Sequence, residues 1–153
     1  MQNKLVDVVR LQREHGGILE AIRSFLDELD NLSVCNAEKV GEVAKWLATL
    51  HSNLSKHIKF EEQEVLPRLV NYAAKILTQG LVLEHERILT SISELIEQSR
   101  DLGNDHPDET ELRLFQARFR EKMQDIRCMV EDHARKQETI LELANNVIER
   151  EAE

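Results

Sequence analysis

Two histidine–carboxylate pairs stand out in this 153-residue chain. The first lies in His57-Ile58-Lys59-Phe60-Glu61-Glu62-Gln63-Glu64-Val65-Leu66-Pro67. Residues four apart on an α-helix are separated by about 40° around the axis and roughly 6 Å along it. His57 and Glu61 therefore point the same way. Their stripe is otherwise apolar, with Val43, Trp46, Leu47, Leu50 and Leu54 before them and Val65 and Leu66 after. A buried imidazole and a buried carboxylate both need partners, and one metal ion serves both. The second pair lies in His133-Ala134-Arg135-Lys136-Gln137-Glu138, where the carboxylate comes five residues after the histidine.

Two more histidines, His15 and His85, fall on apolar stripes of their own. His15 precedes His57 by 42 residues, and His85 precedes His133 by 48, so the two halves of the chain look alike. Each half reads as a helix with one histidine followed by a helix with a histidine and a carboxylate. Packed side by side, the halves would bring His15, His57, His85, His133, Glu61 and Glu138 to one binuclear metal site. Four histidines in phase are hard to explain by packing alone, since each would leave buried polar groups unsatisfied. His51 is about 120° around the helix from His57 and His106 is in a loop, so both are expected off the site. Imidazole with carboxylate and no thiolate suits iron, manganese or zinc and argues against a structural zinc site. Glu61 and Glu138 are the natural bridges, and two divalent ions would then keep a formal charge of about +2.

These residues need long helices to carry them. The first is expected over about Lys4–Leu29, with Leu5, Val8, Leu11, Ile18, Leu19, Ile22, Leu26 and Leu29 at helical spacing and Phe25 widening the stripe. Gly16-Gly17 inside it costs about 1 kcal/mol per residue, which either close approach of a neighbour or simple tolerance would explain. Asp30-Asn31-Leu32-Ser33 reads as the stop. The second helix starts near Asn36, a plausible N-cap, and should end or kink at Pro67. An extra turn over Leu69–Lys75 precedes a third helix, about Ile76–Ser99, striped by Leu77, Leu81, Val82, Ile88, Leu89, Ile92, Leu95 and Ile96. Asp101–His106 reads as the clearest loop, and Pro107 suits the first turn of a fourth helix that reaches about Glu149. The core series of that helix runs Phe115, Phe119, Met123, Ile126, Val130, Ile140, Leu141, Ala144, Val147 and Ile148. The expected fold is all-α: one domain over residues 1–153, an up-down-up-down four-helix bundle.

Composition bounds the function. With 41% apolar and 32% charged residues but only 5 Gly and 2 Pro, long helices are favoured over turns. A net charge of -9 and the lack of a basic stripe argue against nucleic acid. No apolar run approaches the roughly 20 residues needed to span a bilayer, so no membrane partner is expected. Met1-Gln2-Asn3-Lys4 starts no signal-peptide core, and Cys35 and Cys128 form no disulfide framework, so a cytoplasmic protein with free thiols is expected.

The residues His15, His57-x-x-x-Glu61-Glu62 ending in Val65-Leu66-Pro67, Glu84-His85-Glu86, and His133 with Glu138 resemble the hemerythrin-like family of HHE cation-binding domains. The resemblance covers nearly the whole chain. It implies a non-haem di-iron centre inside a four-helix bundle, and for hemerythrins proper a reversible O₂ site. Ferritin-like bundles use Glu-x-x-His pairs instead, and the residues three before the histidines here are Gln12, Leu54, Val82 and Val130. Two departures stand out. Oxygen carriers of the family have a second histidine one turn from the first on the third helix, whereas Leu81 and Leu89 stand there; a water or Glu84 or Glu86 would fill the gap. The family's His-x-x-x-x-Asp spacing gives precedent for Glu138, which a π-bulge would turn inward, leaving Gln137 beside the ligands.

The expected function is O₂ or other diatomic binding or sensing at two iron ions, in an apolar surround of Leu11, Leu19, Leu54, Val82, Leu89 and Val130. The alternative is a di-iron stress-response enzyme that removes peroxide or NO or repairs iron–sulfur clusters, for which the missing histidine would leave coordination open. Family members tied to cluster repair carry a further cysteine-containing N-terminal domain, which is not expected here.

Overall fold

A computed structural model describes residues 8–30, 36–72 and 75–153. They form α1 (Val8–Asp30), α2 (Ala37–Phe60), α3 (Lys75–Asn104) and α4 (Glu109–Glu151). The α2 rod runs on through a π turn (Glu61–Val65) and one more α-helical turn (Leu66–Leu69). No strand occurs among the described residues. The expectations for Lys4, Leu5, Asn31–Ser33 and Cys35 lie outside them.

Side-chain pairs set the direction of each helix. Glu14 meets His57 while Phe25 stacks on Trp46 at 3.8 Å between centroids, so α1 and α2 run antiparallel. Glu62 meets His85, and Ala48 shares a cleft with Ser99, which makes α2 and α3 antiparallel. Glu84 meets His133, and Ile88 shares a cleft with Met129, which reverses α4 against α3. Glu138 meets His15, while Gln116 donates to the Leu29 carbonyl at 3.3 Å and Arg120 pairs with Asp30 at 3.2 Å. The four helices thus form an up-down-up-down bundle.

The caps explain where helices begin. Asn36 accepts from the Lys39 amide at 2.8 Å and starts α2 as expected. Asp108 closes a capping box with Glu111, so α4 begins at Glu109 and Pro107 stands before the cap rather than in the first turn. The loop expected over Asp101–His106 is shorter, because α3 runs on to Asn104. Leu102 packs against Val40 and Leu112 there, and that contact outweighs the modest helix cost of Gly103. The reversal falls on His106, whose φ of 47° is in the left-handed region. Near Pro67 the α2 rod is first distorted and then ends, as expected. The Leu66 amide bonds to the Glu61 carbonyl across the π turn, which shifts the hydrogen-bond ladder just ahead of the proline, and the helix lasts to Leu69.

The interior is layered. One apolar layer, built on Ile22, Leu47, Ile92, Phe119, Met123 and Ile126, fills the bundle on one side of the histidines. A second, smaller layer of Leu11, Val65, Leu69, Leu81 and Leu141 closes the other side. Each helix passes from one layer to the other through a polar residue of the cluster: Leu11–His15–Ile22, Leu54–Glu61–Val65, Leu81–His85–Ile88 and Val130–His133–Leu141. Leu77 and Val147, expected in the core, are 49% and 42% exposed, since they sit on the shoulders of their stripes. A Cβ added at Gly16 or Gly17 would meet nothing within 4 Å, so close approach is not what keeps those glycines.

Phe119→Ala should cost about 3–5 kcal/mol in urea unfolding, because Phe119 is 2% exposed in the larger layer, whereas Asp108→Ala should cost only about 1 kcal/mol. Equal losses for the two would contradict this layering.

Candidate metal centre

Between the apolar layers lies one polar layer, and Glu61 is at its middle with no solvent exposure. All four stripe histidines turn Nε2 toward it. His15 Nε2 is 2.9 Å from Glu61 Oε1, and His57 Nε2 touches the same oxygen. His85 Nε2 is 2.8 Å from Glu61 Oε2, with His133 Nε2 at 3.7 Å. His85 and His133 also face each other, Nε2 to Nε2, at 2.9 Å. Two groups of donor atoms result: His15, His57 and Glu61, and Glu61, His85 and His133. One carboxylate is common to both.

The outer nitrogen of each imidazole is held by a second carboxylate. His57 Nδ1 pairs with Glu14 at 2.9 Å, and His85 Nδ1 with Glu62 at 2.9 Å. His133 Nδ1 pairs with Glu84 at 2.8 Å, and His15 Nδ1 with Glu138 at 3.0 Å. The pairs form a ring in which each helix gives a glutamate to the next helix's histidine and α4 gives one back to α1. A carboxylate accepting the Nδ1 proton fixes the tautomer, leaving the Nε2 lone pair free and more basic. Lys136 in turn pairs with Glu84.

Glu138 is placed in this ring. Its carboxylate lies on the outer side of His15, not among the inward donors, because α4 stays α-helical where a π-bulge would have been needed to turn it in. The π turn is instead in α2, where Glu61 points inward and Glu62 outward. Gln137 is the α4 side chain that is buried, one turn after His133. Glu14, Glu62 and Glu84 join the arrangement as positioning groups. Their signal in the sequence was the doublet Glu-His at 14–15 and 84–85 and the fifth-residue glutamate at 62 and 138. His51 approaches only Ser55, at 3.5 Å, and His106 is exposed; neither belongs to the cluster. Cys128 is a free, exposed thiol, and Cys35 is outside the described residues.

The cluster is electrostatically unusual. Burial pushes the Glu61 carboxyl upward, but the imidazoles of His133, His15, His57 and His85 outweigh it and hold Glu61 far below the usual carboxylate range. Burial lowers His15 as well, yet Glu61 and Glu138 together raise it above its ordinary value, and Glu61 and Glu62 do the same for His85. Buried atoms nevertheless go unmet. His57 Nε2 and Glu61 Oε2 touch neighbours without hydrogen-bond alignment, and both polar atoms of Gln137 have no partner. Each unmet buried polar group costs about 1–3 kcal/mol. Lone pairs that converge without alignment are what a cation would satisfy, so the donor set fits metal ions. A cleft of about 450 Å³ between α1 and α2 reaches His57, lined also by Arg10, Glu14, Gly17 and Phe60.

A raised imidazole adds stability that is fully present below its unfolded value of about 6.5 and fades as pH rises through the raised one. The lowered Glu61 adds stability above its unfolded value of 4.5 and loses it on acidification. The metal-free protein should therefore melt highest between about pH 5 and 6.5 and melt lower at about pH 8. Thermal melts in excess chelator measure this, and a Tm that climbs steadily to pH 8 would contradict it.

Comparison with known families matches residues 6–144 to the Hemerythrin HHE cation binding domain. No curated protein and no solved structure matches the chain.

Proposed function

The chain belongs to the hemerythrin HHE cation-binding domain family, and from that premise we propose that it holds two iron ions and binds or senses O₂ or another small diatomic there. The observation that carries the reading is the pair of three-residue donor groups sharing Glu61. His15 and His57 would hold one ion, His85 and His133 the other, and Glu61 would be shared by both groups. An iron pair, when bound, supplies open coordination positions and the electrons that reversible O₂ binding draws on.

The protein's own residues support this in three ways. Glu61 with the outer carboxylates Glu14, Glu62, Glu84 and Glu138 sets five negative charges against the four positive charges of two divalent ions. The centre is thus nearly compensated, although only one carboxylate is at its middle. The outer carboxylates aim each imidazole and keep its inner nitrogen unprotonated. The apolar layers above and below exclude bulk water, and the cleft at His57 gives a small molecule a short way in. Three protein ligands per ion leave room for an exogenous one.

Purified protein should contain about two irons per chain and show a visible band that changes on oxygenation and returns on degassing. Glu61→Ala should remove the iron. Glu138→Ala and Glu14→Ala should keep the site but weaken metal affinity by about 10–100-fold, measured by chelator competition. Free iron at about 100 times its dissociation constant should stabilise the fold by about 2.7 kcal/mol. One zinc per chain, or no metal-dependent change in Tm, would sink the di-iron reading. Irreversible oxidation accompanied by consumption of peroxide or NO would replace the binding role with a stress-response enzyme.

A further inference from the structure

Gln137 is fully buried, and neither its Oε1 nor its Nε2 has a hydrogen-bond partner. The other unmet atoms, His57 Nε2 and Glu61 Oε2, belong to the two donor groups. Among the described residues, the Gln137 amide is the one unmet side chain that is neither an imidazole nor a carboxylate.

Its position follows from the internal repeat. Glu61 comes one turn after His57, and Gln137 comes one turn after His133. Both are 0% exposed, and both lie between the two apolar layers. Gln137 therefore stands where the repeat would put a second inward carboxylate. An amide has nearly the same shape but carries no charge and brings two N–H donors. The two positions one turn after His57 and His133 thus carry one carboxylate and one uncharged amide, and the amide's donor is buried without a partner. A buried N–H donor without a partner suits a small, compact anion or an oxygen ligand that gains negative charge on binding.

We propose that Gln137 is the specificity-determining residue of the centre, its Nε2 donating a hydrogen bond to a small anionic ligand of the azide, nitrite or hydroperoxide type. The inference rests on the metal reading above. It assigns to Gln137 a role in choosing the exogenous ligand rather than in holding the metal.

The test is azide titration of the iron-loaded full chain, followed by absorbance, with iron content measured on each sample. Gln137→Glu returns a carboxylate to the position. It should weaken azide binding about tenfold or more and slow iron loss to a chelator. Gln137→Met keeps the volume and removes the donor. It should weaken azide binding about tenfold with iron content unchanged. The metal-free Gln137→Met protein should melt at or above the wild-type temperature, since a buried amide with no partner has been removed. Iron-loaded variants with unaltered azide affinity would overturn this inference alone. A metal-free Gln137→Met protein melting well below wild type would do the same, by revealing that the amide is satisfied within the fold. A wild-type chain that takes up no iron overturns the metal reading, and this inference with it.

Discussion

The bundle is built around one buried charge. A carboxylate with no solvent exposure is tolerable only if positive or hydrogen-bonding groups surround it. Glu61 meets that demand by drawing an imidazole from every helix, including its own. Because the four histidines must reach one point, the helices must share one register. The apolar layers on either side then fall into place as whole turns above and below. Core packing supplies most of the stabilising area, yet the height at which the helices meet is set by the polar layer.

The outer ring extends that constraint. Each Nδ1–H needs an acceptor, and in each case the acceptor is a half-exposed glutamate on the neighbouring helix. These residues meet the centre through the imidazoles, and they decide which nitrogen of the ring faces inward. The chemistry at the centre is therefore shaped at the surface, where Lys136 also bears on Glu84. Changes at such partly exposed positions would alter the centre without disturbing either apolar layer.

Much of this was legible in the residues. The four stripe histidines, Glu61 and the alternation of the helices follow from helical periodicity, and each was found where that spacing puts it. Glu138 was harder. A carboxylate at the fifth position is about 140° from its histidine, and the His-x-x-x-x-Asp spacing of the hemerythrin-like family made it look like a ligand. Its role as an acceptor for His15 depends on which helix lies alongside, which spacing within one helix cannot show. Glu14 escaped notice for the same reason, and Glu84 was read only as a stand-in metal ligand: both sit off the apolar stripe, next to a histidine rather than one turn away. The π turn was expected in α4 and lies in α2, where the Pro67 ring disfavours an uninterrupted ladder. The early start of the loop after α3 missed the contact that Leu102 makes with Val40 and Leu112.

The closed circuit of glutamates also bears on how the chain is divided. Each hairpin passes a carboxylate within itself, from α1 to α2 or from α3 to α4, and hands one to the other hairpin, from α2 to α3 or from α4 to α1. A hairpin is thus a half-site with one giving end and one receiving end. Two such units close on each other whatever order the chain visits them in. The circuit is made by side chains alone. Symmetry between the units breaks at the inward position one turn after the histidine, Glu61 against Gln137, and the two groups of inward donors are made unequal there.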